Sequence, residues 1–214
     1  MNKLSGHAVY TGFVLKLYDL IVCEFSNRFV WHCASHRIQS LYDRRVSANH
    51  LEVGPGTGYF LDRCAFSSGC SRLVLLDLNL NCLEKSMRRL ARYSPQCRRA
   101  DIRQKPVGER PGFDSIGLNY VLHCLPGNAA AKETVMENLK TYLNPGGVVF
   151  GSTILGRGGR PGVLARMFIK VYNSMGIFSN VEDSPDLLRQ ILEKHFKTPS
   201  LEVRGNVALF MARR

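Results

Sequence analysis

The stretch that most constrains the fold is LEVGPGTGYF, which runs from Leu51 to Phe60. An apolar run ends at Val53, glycines follow at every second position, and a segment of helical apolar periodicity begins at Tyr59. This order predicts a strand, a tight turn and a helix. Glycine suits a backbone that has positive φ or that a ligand touches, and a helix start presents free amide groups. The stretch therefore predicts a binding site for a nucleoside-bearing cofactor.

Apolar runs that predict strands alternate with segments of helical periodicity along the rest of the chain. Strands are predicted at 72–76, 97–100, 113–119, 148–154, 200–204 and 207–212, and helices at 80–93, 129–143, 163–175 and 186–196. Gly205 and Asn206 are predicted to form a two-residue hairpin turn between the last two runs. With the strand before the glycines, this gives a mostly parallel seven-stranded sheet with helices on both faces and one antiparallel edge.

The length of 214 residues suits a single domain. We expect four parts within it: a helical cap at 1–49, a cofactor-binding core at 50–155, an insertion that acts as a lid at 156–183, and a last helix with a hairpin at 184–214. No uncharged apolar run approaches the roughly 20 residues that span a bilayer. We therefore expect no membrane anchor and no signal peptide.

The cysteines indicate a reducing compartment. There are seven of them, an odd number without a CxxC pair, which predicts reduced thiols and a cytoplasmic protein. The WHCASH stretch at 31–36 places Cys33 and His36 on one helix face, but no second ligand pair stands at zinc spacing. We therefore expect no metal ion.

Polar residues that follow predicted strands are candidates for the site, because ligands of open α/β sheets bind beyond the carboxyl ends of the strands. Asp77 ends the second strand 19 residues after Gly58, the distance at which an acid reaches ribose hydroxyls. An ordinary strand-end acid is the alternative. The glycine spacing is GxGxG, whereas dinucleotide-binding turns have GxGxxG, and Glu52 would repel a diphosphate.

The glycine stretch resembles motif I of the class I S-adenosylmethionine-dependent methyltransferases, E-V-G-P-G-T-G. Five further stretches are similar to motifs of this family, so that the resemblance covers residues 50–214: LLDLN, ADIRQ, FDSIGLNYVLHCL, LNPGG and the closing hairpin with its NVALFMARR end. The resemblance implies a Rossmann-like fold with S-adenosylmethionine as cofactor. It implies that Glu52, Gly54, Gly56 and Gly58 meet the cationic methionine portion, Asp77 and Leu78 the ribose, Asp101 and Ile102 the adenine, and that Asn119 and Tyr120 line the transfer point.

The methyl acceptor is less constrained. Methyltransferases that act on amino groups of nucleobases or glutamine often carry N/D-P-P-Y after the fourth strand, and here residues 119–122 read NYVL. The resemblance is therefore closer to small-molecule methyltransferases. We expect methyl transfer to an oxygen or nitrogen of a small-molecule acceptor, with release of S-adenosylhomocysteine.

Several residues are candidates for the acceptor side of the site. His123 follows the fourth strand and is the candidate general base, because a neutral imidazole near pH 7 can accept a proton. A histidine packed beside the site is the alternative. Tyr18, Arg28, Trp31 and Arg160 are candidate substrate residues, with cap packing or loop solubility as the alternative.

The net charge of +12 is unevenly distributed. Between Arg88 and Arg110, eight Lys or Arg stand against two acids. RNA, or an acceptor tethered to an acidic carrier protein, is therefore a second candidate substrate, and a solvated basic face is the alternative. A non-enzymatic cofactor-binding module and an NAD-dependent dehydrogenase are further alternatives. No sequence pattern predicts an oligomeric state.

Overall fold

The computed structural model of the protein describes residues 19–64, 66, 69–104 and 112–214. In this part of the chain the strands form one sheet of seven, in the order β3-β2-β1-β4-β5-β7-β6. Strands β1 to β5 pair in parallel, and β7 pairs antiparallel with both β5 and β6. The strands are β1 Asn49–Val53, β2 Arg72–Asp77, β3 Gln96–Arg99, β4 Phe113–Asn119, β5 Leu143–Ile154, β6 Lys197–Arg204 and β7 Val207–Arg213. The predicted mostly parallel sheet with an antiparallel C-terminal hairpin is confirmed.

Helices connect the parallel strands. The described part of the chain begins with a π-helix, Asp19–Val30. The α-helices are α1 Ser35–Arg45, α2 Tyr59–Arg63, α3 Leu80–Arg89, α4 Ala129–Tyr142, α5 Val163–Ser174 and α6 Pro185–His195. Side-chain caps fix two helix starts: Asn128 accepts from the Ala130 amide, and Ser184 accepts from the Leu187 amide at 3.1 Å. These caps explain why the starts of α4 and α6 lie within one residue of the predicted positions.

Both faces of the sheet are covered, because successive residues of the central strands face opposite sides. On β5, Phe150 packs in the cluster that contains α1 and α3 residues, whereas Val149 packs in the cluster that contains α4 and α6 residues. Both side chains are fully buried. The core thus consists of two apolar layers with the sheet between them.

Part of the predicted N-terminal cap belongs to one of these layers. Ile38 and Tyr42 of α1 are almost completely buried, and the Tyr42 ring meets Phe150 edge-on at 5.2 Å. The i, i+4 spacing of these two side chains places both on the face that packs against the sheet. Residues 35–45 therefore cover the sheet itself.

The sheet order has a switch point between β1 and β4, because the chain continues to β2 and β3 on one side and to β4 and β5 on the other. Ligands of open α/β sheets bind outside the carboxyl ends of the strands at such a point. In the described part of the chain, no helix is long and apolar enough to cross a membrane.

Candidate active site

A cleft opens at the switch point. Eight of the predicted cofactor residues line it: Gly54, Gly56, Asp77, Leu78, Asp101, Ile102, Asn119 and Tyr120. A smaller hollow beneath the glycine turn contains the other two, Glu52 and Gly58, and shares Gly54, Gly56, Asn119 and Tyr120 with the cleft. The structure therefore brings all ten residues to two adjoining spaces.

The glycine turn is shaped by backbone constraints. Gly54, Gly56 and Gly58 all have positive φ, between 55° and 75°. A Cβ on Gly54 would lie 2.6 Å from Cγ2 of Val121, so that neither the conformation nor the space allows a side chain there. Backbone hydrogen bonds of 2.8 Å, from Gly54 to the Leu76 carbonyl and from Gly58 to the Pro55 carbonyl, hold the turn in place.

Two acids approach the cleft from neighbouring strands. Asp77, at the end of β2, accepts a hydrogen bond from the Asn79 amide at 2.8 Å, which fixes the orientation of its carboxylate. Asp101, just after β3, accepts from the Arg103 amide and from the Arg103 guanidinium, with 2.6 Å between Nη2 and Oδ2. Arg103 also lines the cleft. Sequence reasoning missed it, although a cation two residues after a strand-end acid is a usable signal.

The backbone is strained where the cleft and the hollow meet. Tyr120 has a φ of 58°, an uncommon value for a residue with a bulky side chain. Its amide donates to the Ser152 carbonyl at 2.8 Å, and its hydroxyl donates to Asn27 Oδ1 at 2.7 Å. These contacts hold the conformation from β5 and from the π-helix. Strain of this kind is maintained where a side chain must be aimed.

Glu52 lies in the hollow, but its carboxylate is engaged by protein groups. Oε1 accepts from the Tyr42 hydroxyl at 2.5 Å, and Oε2 lies 2.9 Å from His50 Nε2. The glutamate is only 3% exposed and His50 is fully buried. Two hydrogen bonds compensate for the burial of this acid.

The structure places His123, the predicted general base, in the protein interior. The residue is 3% exposed, and it is not among the residues that line the cleft or the hollow. Its ring packs against Phe178 with 4.5 Å between ring centroids, and Nδ1 lies 3.3 Å from the Ile154 amide. Burial, with a smaller effect of Lys132, lowers the pKa of His123 to about 3. The alternative, a packed histidine, fits these observations.

The three candidate substrate residues that the structure describes do not line the cleft. Trp31 is 4% exposed and packs against Phe168 and Phe178, with ring centroids 6.5 and 6.1 Å away. Arg28 lines a surface depression that shares Tyr59 and Phe60 with the hollow, and Arg160 is exposed on the insertion. Tyr18 lies outside the described residues. Cap packing therefore accounts for Trp31, and neither arginine lines the cleft or the hollow.

The residues after Tyr120 also line the cleft: Val121, Cys124, Leu125 and Pro126. Sequence reasoning assigned them no role, because apolar residues in a loop carry no chemical signal. Burial raises the pKa of the Cys124 thiol to about 12, so that it stays protonated at neutral pH. Among the described residues no three metal-ligating side chains converge.

Residues 51–149 match the family described as a methyltransferase domain. Demethylluteothin O-methyltransferase from Streptomyces thioluteus is 36% identical over 98% of this chain and 91% of that protein. The chain belongs to the class I S-adenosylmethionine-dependent methyltransferases. The Physcion biosynthesis cluster O-methyltransferase from Aspergillus chevalieri is 35% identical over 99% of this methyltransferase and 98% of that protein.

Solved structures agree with the fold of this methyltransferase. The DhpI–SAH complex has a TM-score of 0.69 at 17% identity. The match covers 98% of this chain and 95% of the DhpI chain. The N-methyltransferase NodS from Bradyrhizobium japonicum WM9, in complex with S-adenosylhomocysteine, has a TM-score of 0.64 at 18% identity, with coverages of 94% and 97%. The resemblance that the sequence motifs carried is confirmed. The cofactor is S-adenosylmethionine, which excludes the alternative of an NAD-dependent dehydrogenase.

Proposed function

We propose that this methyltransferase transfers a methyl group to a hydroxyl oxygen of a small organic molecule, with an amino nitrogen as the second choice. The proposal is supported by relatives whose sequences match this chain over nearly their whole length. Several are named O-methyltransferases, among them those from Streptomyces thioluteus and Aspergillus chevalieri, and the N-methyltransferase vrtF from Penicillium aethiopicum is 31% identical. The absence of a proline pair after Asn119 agrees with this acceptor class.

The single observation that carries the proposal is the junction of the cleft and the hollow at Asn119 and Tyr120. The side-chain-free glycine turn borders both spaces and fits a ligand that lies against the backbone. We propose that Gly54, Gly56 and Gly58 hold the methionine portion, Asp77 and Leu78 the ribose, and Asp101 and Ile102 the adenine. When bound, S-adenosylmethionine supplies an electrophilic methyl group on sulfur and leaves as the neutral thioether S-adenosylhomocysteine.

The contribution of the protein to the chemistry is alignment. No histidine stands among the described residues that line the cleft or the hollow. Holding two reactants in line can supply about 7 to 11 kcal/mol of a barrier. We therefore propose that Asn119 and the strained Tyr120 shape the transfer point. The proton that the acceptor loses passes to water and not to a histidine of the described residues.

The described part of the basic stretch is largely engaged within the protein. Arg92 pairs with Asp62 at 2.5 Å, and Arg103 pairs with Asp101. The exposed strand β3 is an edge of the sheet, where charged residues such as Arg98 and Arg99 prevent pairing with other chains. These roles support the solvated basic face over an RNA site, and RNA binding that weakens steeply with salt would reverse this preference.

We also propose that residues 1–214 form one domain and that the protein is cytoplasmic. The two apolar clusters each combine residues from the N-terminal and C-terminal thirds of the chain, which supports a single unit. Six cysteines in the described part of the chain are free thiols, which agrees with a reducing compartment.

A thermal-shift comparison tests the cofactor assignment. We expect S-adenosylhomocysteine to raise the melting temperature and NADH to leave it unchanged, because a ligand of the folded state stabilises it by mass action. Incubation with methyl-labelled S-adenosylmethionine and a metabolite extract should then label a small molecule. Label that appears only in RNA or protein would contradict the proposed acceptor class.

A further inference from the structure

A chain of buried polar groups leads from the surface loop before β1 to the hollow beneath the glycine turn. Ser47 Oγ lies 2.7 Å from Ser115 Oγ, Ser115 Oγ lies 2.7 Å from His50 Nδ1, and His50 Nε2 lies 2.9 Å from Glu52 Oε2. Tyr42 completes the set, since its hydroxyl donates to Glu52 Oε1. Neither His50 nor Ser115 lines the cleft or the hollow, and the transfer chemistry does not use them.

The hydrogen-bond partners allow two proton arrangements along this chain, because the single Ser47 hydroxyl hydrogen can go to the Asn49 carbonyl at 2.9 Å or to Ser115 Oγ. The arrangement in our proposal has Ser47 donating to Ser115 Oγ, which also accepts from the Ser47 backbone amide at 2.9 Å and donates its own hydrogen to His50 Nδ1. A ring nitrogen that accepts leaves the hydrogen of a neutral imidazole on the other nitrogen, so that Nε2 of His50 donates to Glu52. Both carboxylate oxygens of Glu52 then accept hydrogen bonds, which fix the orientation of the carboxylate.

The surroundings keep this pair dry. The Phe150 ring lies over His50 with 5.9 Å between ring centroids, and His50 and Glu52 are at most 3% exposed. On β4, Gly117 faces them without a side chain, and a Cβ there would collide with the carboxylate and lie 3.3 Å from His50 Cε1. A charge in such a place is weakly screened and acts strongly on its neighbours. The neighbour of Glu52 is the hollow that borders the glycine turn.

We propose that His50, oriented by Ser115, is a positioning residue that holds the Glu52 carboxylate at the cationic end of the cofactor. This rests on the proposed cofactor placement. The anion favours S-adenosylmethionine, which carries a sulfonium charge, over S-adenosylhomocysteine, which lacks it. The buried chain therefore helps to retain the substrate form of the cofactor and to release the product form.

The test is the ratio of the Kd of S-adenosylhomocysteine to that of S-adenosylmethionine, measured by calorimetry. Glu52→Gln removes the charge, and His50→Leu removes the donor that supports it. Both should lower the ratio about tenfold relative to the wild type, as expected for the loss of one weakly screened charge. His50→Gln is the matched control, because its amide can still donate to Glu52, and it should keep the wild-type ratio.

A second measurement needs no cofactor. In the free wild-type protein at pH 7, the ring nitrogen shifts of His50, identified by their loss in His50→Gln, should report the Nε2–H tautomer. A Nδ1–H tautomer overturns the proposal even if a variant fails to fold. Variants that weaken both ligands equally also overturn it, since that pattern indicates a structural role. Failure of the wild type to bind either ligand instead overturns the proposed cofactor site.

Discussion

Gly54 and Gly146 both have positive φ, but they differ in what lies beside them. A Cβ on Gly54 would press on Val121, which lines the cleft, whereas a Cβ on Gly146 would meet nothing within 4 Å. The left-handed conformation costs a residue with a side chain about 1 to 2 kcal/mol. We expect Gly146→Ala to lose about this much stability in urea denaturation.

For Gly54→Ala we expect an additional loss of about 1 to 3 kcal/mol from overpacking. We also expect weaker binding of S-adenosylhomocysteine, because Val121 must move toward the cleft. Calorimetric titration of both variants measures the second effect. Equal stability losses and unchanged affinity in the two alanine variants would show that the contact with Val121 is unimportant.

The Asp77 carboxylate is fixed by the Asn79 amide at the end of β2, in the position of a ribose-binding acid. We expect Asp77→Ala to weaken S-adenosylhomocysteine binding by about 1 to 3 kcal/mol through the loss of hydrogen bonds. Calorimetry measures this change, with Asp186→Ala on the exposed start of α6 as the control. If both variants bind as the wild type does, the alternative of an ordinary strand-end acid is correct.

The residues that sequence reasoning placed well are those whose position follows from the backbone alone. Gly54 and Asp77 follow strands, and parallel strands end at one edge of the sheet. The burial of His123 could not be predicted, because it comes from Phe178, more than 50 positions later in the chain. No local pattern reveals which distant side chain will cover a residue. The His50–Glu52 pair was missed for the same reason, since its other partners come from α1 and β4.

At the scale of elements, β4 has the predicted bounds and α4 ends one residue early. A strong apolar run defines β4, and an apolar pattern with the Asn128 cap defines α4. Strand β5 begins at Leu143, five residues before the predicted strand at 148–154, and so includes the LNPGG stretch; its pairing with β4 has a register shift between Phe113 and Ser115. The helix predicted from Tyr59 onward, α2, is short and ends at Arg63. Pairing with neighbouring strands sets the bounds of a strand such as β5, and hydrophobic periodicity in the sequence does not reveal that pairing.

A buried ion pair ties helix α4 to the segment that precedes α6. Lys132 on α4 pairs with Asp183 and donates to the Ser179 carbonyl at 2.8 Å, and both side chains are at most 10% exposed. Burial raises the pKa of Asp183, although Lys132 opposes the shift. We expect Lys132→Met to cost about 3 to 5 kcal/mol, because it leaves a buried carboxylate without its cation.

The double variant Lys132→Met, Asp183→Leu separates charge from packing. It should recover most of that loss, since an apolar pair of similar volume often replaces a buried ion pair without cost. The free energy of unfolding in urea measures all three proteins. A double variant as unstable as the single one would show that the segment depends on the contact of Lys132 with Ser179.

At the scale of the whole molecule, the excess positive charge follows the architecture. The sheet has two edge strands, β3 and β6, and both carry exposed basic residues. An unpaired edge attracts other chains, and charged side chains prevent this. The +12 net charge is therefore partly a consequence of an open sheet, which must have two edges, and it gives little information about a partner.

The stability of the whole molecule should depend on pH through His123. Its pKa falls from 6.5 to about 3 in the folded protein, because the ring is buried, so the unfolded chain binds a proton that the folded protein does not. The stabilising contribution is complete above pH 6.5 and is lost as the pH falls toward 3. Between these values we expect a loss of up to about 1.4 kcal/mol per pH unit from this residue. Urea denaturation from pH 7.5 to 4.5 should show this loss of stability in the wild type and not in His123→Gln.

The contributions of Asp183 and the exposed histidines are common to both proteins and cancel in the difference. Parallel pH profiles would therefore mean that His123 is solvated and free to accept a proton.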